Sequence, residues 1–269
     1  MRKIELQELQ KIELDMVKYL DCICRENQIK YFIVTGTLLG AVRHQGFIPW
    51  DDDIDVAMPR KDFEKFLNIM EQDKGYYKVE YYTNTSKYGY PFPKMIDTRT
   101  TLIDKKMGNG EERIGVYIDI FLYDGVGTNL TFAKIYYLFL KVLKRMVFLS
   151  RRNFRMESIG KTIFFAIPWL ICRVLGVERI NKIFNKLAAR KDFYKYPYVA
   201  SVSGSYGLKE ILKRNLLEKT IDIKFEDTIL SAPVRYDKYL RSIYGDYMKL
   251  PPEQDRISNH TNVAWWKEK

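Results

Sequence analysis

The chain has few of the residues that build disulfide frameworks or histidine-based metal sites. Its 269 residues include three cysteines and two histidines. Three cysteines cannot make a disulfide framework, and no Cys/His set has the paired spacing of a zinc site, so we expect a reducing compartment. Long apolar runs are also missing. The run at 162–172 spans 11 residues between Lys161 and Arg173, well short of the roughly 20 needed to span a bilayer.

The first residues alternate charges with aliphatic side chains, so no signal peptide is expected. Acidic residues are scarce in one segment only. Residues 131–195 carry 15 Lys and Arg against three Asp and Glu, while the remainder carries 30 against 31. The formal net charge of +11 therefore comes from this segment. A nucleic-acid-binding surface would spread its basic residues more widely, so we expect no nucleic-acid partner.

The same segment mixes aromatic and aliphatic residues with dense Lys and Arg. This combination predicts helices that lie on the surface of an anionic membrane. Helices packed into a core with a solvated basic face would give the same pattern, and both interpretations remain open.

Hydrophobic periodicity predicts a mixed α/β protein. Residues 4–27 have the spacing of an amphipathic helix, and residues 53–58 alternate as a strand with one apolar face. Other predicted strands lie at 31–34, 77–82, 91–97, 114–122 and 221–225, and other helices at 37–43, 63–70, 131–191 (two or three) and 235–244. We predict a catalytic core at 1–130, a basic helical insert at 131–195 and a segment completing the core at 196–269.

Four carboxylates crowd into five residues at Asp51–Asp53 and Asp55. If 53–58 is a strand, Asp53 and Asp55 project from one face about 7 Å apart. Two carboxylates on a rigid edge suit Mg²⁺, which takes oxygen ligands together with substrate phosphates. A solvated acidic loop is one alternative. An EF-hand is another, but it would need glycine where Val56 stands and glutamate where Asp62 stands.

A third carboxylate would complete a two-metal site. Asp119 is the best candidate because it interrupts the apolar run 116–122. Its alternative role is to pair with a Lys or Arg at a strand end. Asp97 competes with it for the metal. We expect Mg²⁺ or Mn²⁺, with two ions bound by Asp53, Asp55 and Asp119.

A strand, a glycine turn and a helix start at Gly36 and Thr37 predict a phosphate-binding element, because backbone N–H groups and a hydroxyl face the same point. Arg43 and Lys94 are candidates for neutralising phosphate charge. His44 is a weaker candidate, since a lone histidine is more often structural.

The run from Gly36 to Val56, GTLLGAVRHQGFIPWDDDIDV, resembles the signature of the LicD family of phosphocholine and related phosphotransferases. Residues 117–121, 244–248, Pro251, Pro252 and His260 extend the similarity. The resemblance implies a DNA polymerase beta-like nucleotidyltransferase core. In that fold a Gly-Ser-type turn, here Gly36-Thr37, and the carboxylates of Asp53, Asp55 and Asp119 bind metal and nucleotide phosphates.

The resemblance also implies the reaction. A phospho-alcohol, phosphocholine first, would move from a CDP-linked donor to a hydroxyl of a cell-surface glycan or its lipid-linked precursor. Teichoic acid, lipopolysaccharide and capsule are the expected acceptor classes. The expected place is the cytoplasm, peripheral to the inner face of the cell membrane.

Two rival functions remain from the residues alone. A metal-dependent glycosyltransferase also uses an Asp-x-Asp pair, but its nucleotide fold needs several βα units first, and one predicted strand precedes Asp53. The other rival is a non-catalytic basic membrane-binding or nucleic-acid-binding module whose acids are structural.

Overall fold

The structure is a computed structural model that describes residues 1–103, 113–151, 169–257 and 263–268. Six α-helices in these ranges have both ends described: α1 Leu6–Glu26, α2 Thr35–His44, α3 Arg60–Gln72, α4 Leu130–Arg151, α5 Val177–Ala188 and α6 Tyr236–Tyr244. Residues 169–175 are also helical. Short 3₁₀ turns lie at Gly207–Glu210, Arg214–Leu216 and Glu253–Asp255.

The strands that the structure describes are β1 Arg2–Ile4, β2 Phe32–Ile33, β3 Asp55–Pro59, β4 Tyr77–Glu80, β5 Lys94–Ile103, β6 Arg113–Gly127, β7 Tyr198–Ala200, β8 Leu212–Lys213, β9 Thr220–Phe225, β10 Thr228–Pro233 and β11 Val263–Trp266. Nine of them form one mixed sheet. Its main order is β1-β11-β5-β6-β3-β2, with β4 on β5 and β7 between β6 and β8. Strands β9 and β10 form a separate hairpin.

The centre of the sheet is the pair β3 and β6, which runs parallel while the neighbouring pairs run antiparallel. Ile54, Val56 and Ile120 are fully buried on the core side of these strands. Helix α1 packs against β6 and β10. It buries Leu9, Ile12, Met16, Leu20 and Ile23, which recur at spacings of three and four.

A second hydrophobic cluster joins the basic segment to the sheet. Tyr137 and Leu140 of α4 pack with Phe184 of α5, and this cluster includes Val126 of β6 and Ala200 of β7. Beneath it, Arg60 of α3 donates two hydrogen bonds, 2.8 and 2.6 Å long, to Asp124 of β6. The helices α4 and α5 are therefore anchored on the sheet by apolar contacts, and Asn185 Oδ1 of α5 also accepts a hydrogen bond from Arg60 at 3.3 Å.

The predicted mixed α/β class is confirmed, as are the predicted strand and helix types at β2, α2, β3, α3, β4, β5, β6, β9 and α6. The DNA polymerase beta-like topology and the three-part domain division stay predictions. Strands β1, β7, β8, β10 and β11 were not predicted. Among the helices in the described ranges, none is both long enough and apolar enough to cross a membrane. Residues 152–168 of the basic segment predicted to lie on a membrane surface, and His260, lie outside the described residues.

Candidate active site

A cavity of about 830 Å³ opens at the start of strand β3 and beside the middle of strand β6. Asp51, Asp53 and Asp55 line it on one side, and Asp119 lines it from β6. The start of α2 contributes Thr35 and Gly36, and Arg43 reaches it from the end of the same helix. The structure therefore brings the acidic cluster, the third predicted carboxylate and the predicted glycine turn to one cavity.

Strand register explains why Asp55 and Asp119 meet. They are direct partners across the parallel pair of β3 and β6, and paired residues project from the same face of a sheet. Lys94 of β5 is the partner of Asp119 on its other side. Asp97, the competing candidate, is fully buried, is held by Arg99 and does not line the cavity.

The start of α2 lies in contact with the carboxylates of Asp51 and Asp55. Thr35 has φ of +48°, a conformation that a β-branched residue adopts only when its surroundings impose it. Its hydroxyl donates a hydrogen bond to Asp55 Oδ2. A Cβ on Gly36 would stand 2.8 Å from Asp51 Oδ2. Glycine is therefore the residue that lets the helix start approach the carboxylate.

Lys94 is buried behind Asp119, and it is not among the residues that line the cavity. Its Nζ lies 2.5 Å from Asp119 Oδ1. The ammonium also lies 3.3 Å from the ring centroid of Tyr117, 4.6 Å from that of Tyr90 and 5.2 Å from that of Phe92. This aromatic surrounding stabilises a cation, so the lysine contacts the carboxylate instead of the cavity.

Thr37 and His44 also lie off the cavity. Thr37 Oγ1 accepts a 2.7 Å hydrogen bond from the backbone N–H of Asp55, which fixes the start of β3. His44 Nε2 accepts from Arg43 Nε, and the imidazole ring meets Trp50 edge-on. Burial and the charge of Arg43 lower the pKa of His44. Both residues support neighbours that do line the cavity.

The chemistry of the cavity fits a hard divalent cation. In residues 1–103, 113–151, 169–257 and 263–268, no three Asp, Glu, His or Cys side chains are close enough together to hold a metal ion. Mg²⁺, however, is usually bound by one or two carboxylates together with substrate phosphates. Asp51, Asp53 and Asp55 supply the required oxygen donors around the cavity.

A buried carboxyl oxygen without a hydrogen-bond partner supports this fit. Glu13 of α1 is 2% exposed, and its Oε2 has no hydrogen-bond partner. Burial raises the pKa of Glu13 well above its usual value, and the charges of Asp53, Asp52, Asp51 and Asp119 raise it further. The carboxylates thus create a strong negative potential, into which a cation would bind favourably.

The sequence did not predict one further part of the cavity wall, which follows strand β7. Ser201, Ser203, Ser205, Tyr206 and Glu210 follow β7 and line the same space. Tyr206 and Tyr244 share a 2.7 Å hydrogen bond between their hydroxyls. Burial, chiefly, raises the pKa of Tyr206 to about 12 and that of Glu210 to about 7. The motif at 244–248 was the one sequence signal near this wall.

Known proteins are similar to this chain over the region that holds the acidic cluster. A family model described as "LicD/FKTN/FKRP, nucleotidyltransferase domain" matches residues 28–154, which include the acidic cluster and Asp119. The lipopolysaccharide cholinephosphotransferase LicD of Haemophilus influenzae is 32% identical over 282 residues, covering 98% of this chain and 99% of that protein. This chain belongs to the LicD family.

Shorter similarities to the LicD-family chain occur in two uncharacterized proteins of Rickettsia. The protein from Rickettsia typhi is 55% identical over 49 residues, which is 18% of this chain and 16% of that protein. The protein from Rickettsia prowazekii is 36% identical over 99 residues, covering 37% and 34% of the two chains. Of these three proteins, the Haemophilus protein matches along nearly the whole length.

Proposed function

We propose that this protein transfers phosphocholine from a CDP-linked donor to a hydroxyl of a cell-surface glycan or its lipid-linked precursor. The observation that carries the proposal is the near full-length similarity to a lipopolysaccharide cholinephosphotransferase, combined with the placement of Asp51, Asp53, Asp55 and Asp119 around one cavity. LicD-family membership also removes the reason to prefer a glycosyltransferase.

The residues of the cavity suit this chemistry. The first turn of α2 lines the cavity at Thr35 and Gly36, and the N-terminus of a helix favours a phosphate. Arg43 lines the cavity, and its guanidinium donates to the backbone oxygen of Tyr247 at 3.2 Å. This anchor holds its positive charge beside the space that the donor diphosphate would occupy.

In the proposed reaction the acceptor hydroxyl attacks the distal phosphorus of the donor. The bond from that phosphorus to the bridging oxygen breaks, and CMP leaves. Asp119 or Asp53 takes the proton of the hydroxyl. Asp53 and Asp55 would hold Mg²⁺ or Mn²⁺ together with phosphate oxygens of the donor, and Asp119 faces the same cavity. A divalent cation there would neutralise charge on the diphosphate and on the departing CMP.

A donor panel tests the proposal. The protein is incubated with CDP-choline, CDP-ribitol or CDP-glycerol, with Mg²⁺, Mn²⁺ or EDTA, and CMP release is measured with and without glycan acceptors. We expect CMP from CDP-choline, dependent on the metal and stimulated by an acceptor. Release from another donor alone would overturn the choline assignment, and equal release in EDTA would overturn the metal assignment.

Matched variants test the carboxylates. Asp53→Asn and Asp55→Asn should each lower CMP release at least about 100-fold, because each removes a charge that the bound cation needs. Asp15→Asn is the control, since Asp15 is exposed on α1. Turnover near the wild-type rate in either cavity variant, at saturating Mg²⁺, would contradict the proposal.

A lipid-linked acceptor would require the protein to work at a membrane surface, and α4 has a suitable face. Six large apolar side chains on this helix are exposed: Leu130, Phe132, Ile135, Leu138, Phe139 and Val142. The helix carries five basic residues and no acidic ones. Apolar side chains beside positive charge complement an anionic bilayer.

Vesicle flotation tests this face. We expect wild-type protein to float with vesicles of anionic lipid at low salt, and Ile135→Glu with Phe139→Glu to remove most of the bound fraction. Neutral vesicles are the control for charge. Wild-type protein that stays unbound to anionic vesicles would contradict the membrane proposal without affecting the donor assay.

A further inference from the structure

The cavity continues beyond the acids along strand β6. Asp119, Phe121 and Tyr123 all line it, whereas Ile120 and Leu122 between them are buried in the core. This is the alternation of a strand, in which every second residue faces the same side about 7 Å further on. One carboxylate is therefore followed by two aromatic rings in a single row.

A second ring widens this row next to the carboxylate. Phe92 also lines the cavity, and its ring centroid is 5.1 Å from that of Phe121, with 39° between the ring planes. Both side chains are half-buried. The two rings form one aromatic surface that begins beside Asp119 and remains accessible from the cavity.

We infer that the Phe92–Phe121 surface is the subsite for the quaternary ammonium of choline. The inference rests on the proposed function, which places the transferred phosphate at the acids. In phosphocholine the nitrogen is four bonds from phosphorus, at about 1.5 Å each, so the two atoms are at most about 5 Å apart. A phosphate near Asp55 and Asp119 thus places the nitrogen over Phe121, before Tyr123 is reached.

The electrostatics of this surface favour a cation without hydrogen-bond donors. Quaternary ammonium groups bind to ring faces, and the ring carbons of Phe92 and Phe121 offer no acceptor to an N–H group. A primary ammonium would lose its hydration there without replacement. The carboxylates of Asp55 and Asp119 add attraction. The positive charge of Lys94, whose ammonium lies 5.2 Å from the Phe92 ring centroid, opposes it, but that ammonium is already paired with Asp119.

The test is equilibrium binding of three phosphate monoesters by calorimetry, which does not depend on turnover. The probes are phosphocholine, O-phosphoethanolamine and 3,3-dimethylbutyl phosphate, the last an uncharged copy of the choline shape. Wild-type protein should bind phosphocholine at least about 3-fold more tightly than either analogue. Phe121→Leu and Phe92→Leu should each weaken phosphocholine about 3- to 30-fold while changing phosphoethanolamine less than 2-fold.

Phe47→Leu is the matched control. Phe47 is also half-buried and pairs with Phe225 at 5.0 Å, but it does not line the cavity. It should bind all three probes like wild type, and circular dichroism should verify the fold of every variant. Equal affinity of phosphocholine and dimethylbutyl phosphate would overturn the inference. So would ring variants that weaken every probe alike.

Failure of the proposed function gives a different pattern. If CDP-choline releases no CMP but phosphocholine binding still depends on Phe92 and Phe121, the subsite stands and the donor assignment fails. If CDP-choline is turned over but neither Phe92→Leu nor Phe121→Leu changes the affinity for phosphocholine, the donor assignment stands and the subsite is overturned.

Discussion

Lys94 Nζ lies 2.5 Å from Asp119 Oδ1, and the lysine is almost fully buried. Replacing Lys94 by methionine would leave the carboxylate of Asp119 without its cation in a partly buried place. Removing one partner of a buried pair costs about 3 kcal/mol of unfolding free energy. We therefore expect Lys94→Met to lower stability to urea by about this amount and to reduce CMP release at least about 10-fold.

The double variant Lys94→Met/Asp119→Asn separates the two effects of this pair. It removes both charges, so most of the lost unfolding free energy should return. Turnover should stay low, because Asp119 itself is gone. A Lys94→Met protein with wild-type stability and turnover would show that the pair neither stabilises the fold nor positions the carboxylate.

Thr35 offers a more selective change at the same site. Thr35→Val keeps the β-branched shape but removes the hydroxyl that donates to Asp55 Oδ2. We expect CMP release to fall about 10-fold, while the unfolding free energy falls by about 1.5 to 3 kcal/mol, the range for a hydrogen bond to a charged group. Thr35→Ser retains the hydroxyl and should recover most of the activity. An equal loss of CMP release in both variants would mean that activity does not depend on the hydroxyl of Thr35.

The elements that carry the acids could be predicted from sequence because their signals are local. Ile54 and Val56 alternate with Asp53 and Asp55, and Asp119 interrupts an apolar run. Alternation fixes which face each side chain takes. It does not fix which strands become neighbours, so the direct pairing of Asp55 with Asp119 emerged only from the sheet register.

The wall formed by Ser201–Glu210 could not be predicted in the same way. It reaches the cavity because β7 pairs with β6 at Asp124 and Ala200, residues far apart in sequence with no shared period. Lys94 illustrates a second limit. Its sequence context suggested a phosphate contact, but Tyr90 and Phe92 from the loop before β5 and Tyr117 from β6 converge on its ammonium. Contacts that form only when separate segments fold together leave no periodic pattern in the sequence.

Gly36 tests whether the close approach of α2 to Asp51 matters. In Gly36→Ala the new methyl group would stand 2.8 Å from Asp51 Oδ2, so the carboxylate must turn away. Alanine is the better helix former by about 1 kcal/mol, so thermal stability should hold or rise while CMP release falls. Gly36→Ala/Asp51→Ala should be no less active than Asp51→Ala alone. If the double variant released less CMP than Asp51→Ala, the methyl group at position 36 would act on a group other than Asp51.

Glu210 gives a prediction about pH. Burial raises its pKa to about 7, although the backbone N–H of Tyr206 and the charges of Lys144 and Lys141 act in the opposite direction. Since the usual value is 4.5, the folded protein binds more protons than the unfolded chain between pH 4.5 and 7. The stability that the neutral carboxyl contributes is therefore fully present below pH 4.5 and is lost as pH rises through 7.

Glu210→Gln should remove this dependence, because the amide stays neutral and its oxygen can still accept from Tyr206. A shift of about 2.5 pH units corresponds to about 3 kcal/mol. The unfolding free energy of the variant minus that of wild type should therefore rise by up to about 3 kcal/mol between pH 4.5 and pH 7.5. The measurement is urea unfolding of both proteins across pH 4.5–7.5. Staying within this range avoids Lys144, whose pKa burial lowers to about 8. Because Glu13 titrates equally in both proteins, its contribution cancels in the difference. A constant difference across this range would show that Glu210 is ionised throughout, with its charge balanced by Lys144 and Lys141.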